Sequence, residues 1–163
     1  MTSTGGCQCG AIRYAFDRPA RNAHLCHCRM CQKAAGSYFL PLANVDRDDF
    51  RVTRGAIAHF ASSDYVRRGF CRDCGTPLTF ESTESKHLNV TLGSLDDPAA
   101  VRPEGQDGVE GRMPWFADLP ALEEDDNREA EGEWAERLRA IAATNHQHPD
   151  HDTDVWPAPQ SSA

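Results

Sequence analysis

The chain has 163 residues, 39% of them hydrophobic, with seven cysteines and a formal net charge of −8. That length supports one domain with appendages and a real core, and no stretch approaches the roughly 18 consecutive apolar residues that span a membrane. The acidity is local: residues 1–120 carry 14 acids and 14 bases, while from Ala121 onward 11 acids face 3 bases. The body is therefore neutral and has no basic stripe to track nucleic-acid phosphate.

In chain order, short runs rich in β-branched and aromatic residues recur between turn signals. They predict strands over residues 11–16, 37–42, 50–53, 57–61, 66–70, 78–81 and 87–92. One short helical turn is expected over 29–35, stopped by Gly36. Asp97-Pro98, Arg102-Pro103 and Met113-Pro114 rule out long regular elements over 93–120. The reading is a mainly β domain over 1–122 with an acidic C-terminal extension over 123–163. In the extension, Asn127 is the expected cap of a helix over about 128–144, whose Trp134, Leu138 and Ile141 form a narrow apolar stripe. The last stretch, with His146, His148 and His151, has the composition of a disordered, solvated tail. Arg67-Arg68 and Arg72 form the one dense basic spot, read as a solvated strand edge.

The cysteines fall in three clusters: Cys7-x-Cys9, Cys26-x-Cys28-x-x-Cys31 and Cys71-x-x-Cys74. The N-terminus shows no basic region followed by an apolar run, so a cytoplasmic, reducing location is expected, where grouped thiols hold metal rather than disulfides. An odd count, and pairs only two residues apart, also argue against disulfides. Structural zinc takes four ligands and catalytic zinc three plus an exchangeable position. Two partitions fit the spacing. Cys28/Cys31 with Cys71/Cys74 would form a zinc ribbon and strand three thiols. Cys7/Cys9 with Cys71/Cys74 would leave Cys26/Cys28/Cys31 for a second ion and strand none.

The segments GGCQCGAIRY, CHCRMCQKAAG, FCRDCGTPL and VTLGSLDDP resemble the glutathione-dependent formaldehyde-activating enzyme family, which includes centromere-protein-V-like proteins. The resemblance runs from about Gly5 to about Leu122. It implies a zinc-stapled, tent-like β-sheet fold with two Zn²⁺ per chain. Cys7, Cys9, Cys71 and Cys74 would hold a structural zinc. Cys26, Cys28 and Cys31 would hold a second, catalytic zinc where a thiol substrate acts. It also implies a carbon–sulfur lyase that forms or cleaves an S-hydroxymethylglutathione-like adduct, with a small thiol such as glutathione and a small aldehyde such as formaldehyde as partners. One position departs from the pattern: Gln106 stands where the family often has His.

Around these ligands, His24 and His27 flank the open site in sequence, His27 pointing away from it. Lys33, Arg13 and the Arg67/Arg68 pair are candidates to meet a tripeptide's carboxylates, and Trp115 and Phe116 to wall a cleft. The competing reading is a non-catalytic zinc module that binds a partner. The three-thiol cluster favours the enzyme, because a purely structural role needs no open ion. The oligomeric state is not legible from the sequence.

Overall fold

The structure, a computed structural model, describes residues 2–156. It is mainly β. The strands are β1 (Ser3–Gly6), β2 (Arg13–Phe16), β3 (Arg21–Cys26), β4 (Leu40–Asp46), β5 (Arg51–Arg54), β6 (Ala58–Ser63), β7 (Val66–Phe70), β8 (Pro77–Ser82), β9 (His87–Thr91) and β10 (Gly105–Asp107). Helix α1 spans Arg29–Ala35 and α2 spans Gly132–Ala143.

Two sheets form. The smaller has the order β1-β2-β5 and the larger β10-β3-β4-β9-β8-β7-β6. Every pairing is antiparallel except that of β10 with β3. The main core lies where Tyr14 and Phe16 of β2 meet Ala43 and Val45 of β4, Leu78 of β8 and Leu88 and Val90 of β9. In β9 the alternation is direct: Leu88 and Val90 are buried while His87 and Asn89 are less so, as the two-residue period of a strand requires. The Tyr14 hydroxyl is satisfied by Ser94 Oγ at 2.7 Å. A second, smaller apolar cluster gathers Cys31, Leu40 and Leu42, with Cys26, Cys28, Ala35 and Phe80 against it.

The C-terminal extension departs from expectation in two ways. Asn127 caps no long helix. Asp126 caps a single 3-10 turn over Asn127–Glu129, and α2 begins only after Glu131. Residues 146–156 are also not the free tail that their composition suggests. The His148 N–H donates to the Gln8 carbonyl at 2.7 Å, and the His148 side chain is buried. Arg13 Nε donates to Asp152 at 2.7 Å, Arg54 reaches the Thr153 carbonyl, and Trp156 Nε1 donates to the Cys9 carbonyl at 2.7 Å. Composition underrated this strap because it is held by polar bonds to two arginines and to backbone rather than by apolar burial. The rest of the expected tail, 157–163, lies outside the described residues.

Candidate metal centres and the adjoining groove

Two turns of the same design bring four thiols together. In the first, the Cys7 N–H donates to the Ile12 carbonyl at 3.0 Å; in the second, the Cys71 N–H donates to the Thr76 carbonyl at 2.9 Å. Gly10 and Gly75 each sit at φ +78, a left-handed conformation that a side chain would strain. The sulfurs of Cys7, Cys9, Cys71 and Cys74 lie within 4.8 Å of one another. Cys7 and Cys9 are 3.6 Å apart and Cys9 and Cys71 3.9 Å. Four thiolates arranged tetrahedrally at zinc–sulfur bonds of 2.3 Å stand about 3.8 Å apart, so this donor set fits zinc. Neutral donors meet its sulfurs: Ile12 N–H reaches Cys7 at 3.2 Å, and the Thr76 hydroxyl lies 3.1 Å from Cys74.

The surroundings act on two of these thiols in opposite directions. Burial pushes Cys9 up to about 12. Burial acts the same way on Cys74, but hydrogen bonds led by the Thr76 side chain outweigh it and bring that thiol down to about 6.

The second cluster is local. Cys26 ends β3, Cys28 precedes α1, and Cys31 lies in its first turn. Cys28 caps the helix, its sulfur accepting the Cys31 N–H at 3.4 Å, and Gly36 ends it in the left-handed conformation. The three sulfurs lie within 4.8 Å of one another, with Cys26 and Cys28 3.5 Å apart. Among the described residues no fourth His, Cys, Asp or Glu joins them. This donor set also fits zinc and leaves a position open. Burial raises Cys26 to about 12 and raises Cys31 as well, there against the opposing Arg68 hydrogen bond. Cys28 falls below the ordinary thiol range because hydrogen bonds led by the Cys31 N–H outweigh its burial.

Beside this cluster runs a groove of about 460 Å³ lined by Arg29, Met30, Lys33, Ala34, Phe60, Ser62 and Arg68. It unites two of the expected cations, Lys33 and Arg68, and adds Arg29. Arg13 and Arg67 are elsewhere: Arg13 is buried against Asp96 and Asp152, and Arg67 pairs with Glu81. The sequence offers Arg68 both as a solvated edge residue and as a candidate for a substrate carboxylate; it is no solvated edge, being only 7% exposed. A usable signal existed, since adjacent residues of a strand point to opposite faces.

The two histidines are structural in their bonding. His24 Nδ1 lies 2.8 Å from the Asn22 carbonyl, and its Nε2 lies 3.4 Å from Asp107. His27 is fully buried, with Nε2 at 3.0 Å from Gln106 Oε1. An amide oxygen only accepts, so Nε2 carries the proton and Nδ1 is a buried lone pair without a partner among the described residues. Gln106 is carried there by the parallel pairing of β10 on β3. Phe116 stacks edge-on against His27 with centroids 4.7 Å apart, and Trp115 does the same against Tyr38. Neither aromatic lines the groove.

The model of a sequence family described as glutathione-dependent formaldehyde-activating enzyme matches residues 2–109. An uncharacterized lyase of Schizosaccharomyces pombe is 29% identical over 83 residues, which make up 51% of this chain and 60% of that protein. A crystal structure of a Rhodobacter sphaeroides protein superposes with a TM-score of 0.49 at 22% identity, over 63% of this chain and 98% of that one.

Proposed function

From the premise that this chain belongs to the glutathione-dependent formaldehyde-activating enzyme family, we propose that it is a zinc-dependent carbon–sulfur lyase acting on the adduct of a small thiol and a small aldehyde. Cys7, Cys9, Cys71 and Cys74 would hold one zinc for structure, and Cys26, Cys28 and Cys31 a second for chemistry. The observation that carries this reading is the set of three sulfurs within 4.8 Å, with no fourth ligand among the described residues and an open groove alongside. All seven cysteines are free thiols, as a reducing, cytoplasmic setting would keep them. Zinc held by three thiolates supplies a place for a substrate thiol and favours its ionised, nucleophilic form.

In the forward direction the thiol sulfur bonds to the carbonyl carbon, the C=O electron pair moves to oxygen, and that oxygen takes up a proton. The reverse breaks the carbon–sulfur bond. Arg29 and Lys33 would meet the carboxylates of a glutathione-like thiol. Met30 and Phe60, 55% and 63% exposed, would cover its apolar stem and exclude water from the reacting atoms. His27 is excluded as the proton carrier because its ring is sealed from the groove.

The test is S-hydroxymethylglutathione formation from glutathione and formaldehyde, followed by NMR on the zinc-loaded full chain. Acceleration should vanish in Cys28→Ser. No acceleration with glutathione or another small thiol, with both metals in place, would reject the reading. The non-catalytic zinc module would then take its place, with Trp134 and Ile141, 55% and 52% exposed on α2, as its contact surface.

A further inference from the structure

Arg68 is buried, yet it forms no ion pair with a carboxylate among the described residues. Other shielded arginines do: the buried Arg13 has Asp96 and Asp152, and the partly buried Arg47 has Glu81. The available carboxylate nearby, Glu81, is taken by Arg47, Arg67 and His59. Burying an unpaired guanidinium is costly, so its surroundings must offer something in exchange. What they offer is sulfur and aromatic surface. Nη2 donates to Cys31 Sγ at 3.5 Å, Nε donates to Ser62 Oγ at 3.1 Å, and Cζ sits 5.0 Å from the Phe80 ring centroid. In register, Arg68 lies directly between Phe60 on β6 and Phe80 on β7's other neighbour, β8. The remaining nitrogen, Nη1, makes no hydrogen bond among the described residues, and the residue lines the groove.

This places a fixed positive charge between the open cluster and the groove. Nothing comparable touches the four-cysteine cluster, whose sulfurs meet only neutral donors among the described residues. A closed cluster keeps one charge. An open one gains a negative charge each time a thiolate enters it, and a preplaced cation favours that entry without reorganisation.

We propose that Arg68 is the positioning residue that makes the three-cysteine site take an anionic sulfur donor, by holding its guanidinium against Cys31 where an entering thiolate adds charge. This rests on the reading of that cluster as a thiol-binding zinc site. The device acts on the sulfur itself, so it serves thiols with or without carboxylates.

The test uses the full chain with cobalt(II) in both clusters and 2-mercaptoethanol, which has no carboxylate for Arg29 or Lys33 to meet. Thiolate entry is read from the sulfur-to-cobalt absorption bands. Arg68→Met should weaken binding roughly tenfold or more, the size expected for loss of one charge-assisted hydrogen bond, while both metals are retained. Arg68→Lys should recover part of it. Arg67→Met, which removes the neighbouring charge held by Glu81, should bind as the unmodified chain does. Binding by Arg68→Met equal to that of the unmodified chain overturns the proposal. So does equal weakening in Arg68→Lys, which would point to packing rather than charge, or loss of the open-cluster metal from both Arg68 variants, which would make the residue a structural clamp. If the unmodified chain itself shows no spectral change with any thiol, the reading of the cluster fails, and that failure is recognisable before any variant is made.

Discussion

The two cysteine clusters use the same ligand atom at nearly the same spacing and differ in what closes them. The four-cysteine cluster ties two turns 62 residues apart. Cys7 and Cys71 are part of the main core, and the C-terminal strap bonds to the first turn. The three-cysteine cluster comes from six consecutive residues, sits in a satellite core of three buried side chains, and borders a cationic groove. A metal in the first joins distant chain; a metal in the second joins almost nothing that the backbone has not already joined. Role follows from how much chain a site closes, more than from the chemistry of its donors.

The largest expected break in that comparison comes from the ligands. Cys71→Ser should cost several kcal/mol or prevent folding, since a structural zinc contributes folding energy directly. Cys28→Ser should lose one metal and leave the melting transition nearly in place. Thermal melts paired with zinc analysis check this, and equal destabilisation by both would erase the distinction.

Next comes β7, which carries Arg68 beside one cluster and ends at the residue preceding Cys71 of the other. Glu81 anchors it through Arg67. Burial alone would raise the Glu81 carboxyl, but hydrogen bonds from Arg47, Arg67, His59 and Thr79 outweigh burial and hold it at about 2, below its ordinary 4.5. A depressed folded value means stability that is fully present above pH 4.5 and lost as pH falls toward 2. The span is worth roughly 3 kcal/mol. Urea titrations between pH 6 and pH 2.5 should show this acid limb flattened in Glu81→Gln relative to the unmodified chain.

A smaller effect should separate the clusters by their neighbours. A Cβ on Gly10 would fall 2.1 Å from His148 Cδ2 at a residue already at φ +78. Gly10→Ala should therefore cost about 1–2 kcal/mol in backbone strain and expel the strap. Deleting residues 145–163 should speed zinc loss to a chelator from the four-cysteine cluster alone. An effect of similar size, confined to the other cluster's surroundings, is expected at Gln106. Gln106→Leu leaves the His27 N–H without an acceptor, at about 1–2 kcal/mol, with zinc release from the four-cysteine cluster unchanged.

The sequence disclosed elements whose signals are local. Helix α1 was legible because Gly36 ends it, the Cys28 cap being what the structure adds, and β7 was legible from a compact run before a turn. The sulfur distances gather the cysteines into a group of four and a group of three, a grouping that spacing alone left open. Three strands escaped for physical reasons. β1 reads STGG and β10 reads GQD, neither with a branched apolar residue, and each exists because a partner strand supplies its ladder. β3 reads RNAHLC and is interrupted by Asn22 at φ +49. The strap and the burial of Arg68 escaped because polar groups bury through partners remote in the chain, and no periodicity records those partners.

The separation of the two turns also sets an order in time. On the chain-entropy argument for crosslinks, closing a loop of 62 residues is worth about 4 kcal/mol in constraint on the unfolded chain. Until it closes, Cys7 and Cys9 stay a two-thiol fragment. At roughly 5–20 residues per second of synthesis, the second turn follows the first by about 3–12 s, while Cys26–Cys31 is complete within a fraction of that. A nascent chain thus offers metal the three-cysteine cluster before the four-cysteine one. Scarce zinc during synthesis should leave molecules whose three-cysteine cluster is filled and whose fold is not yet locked.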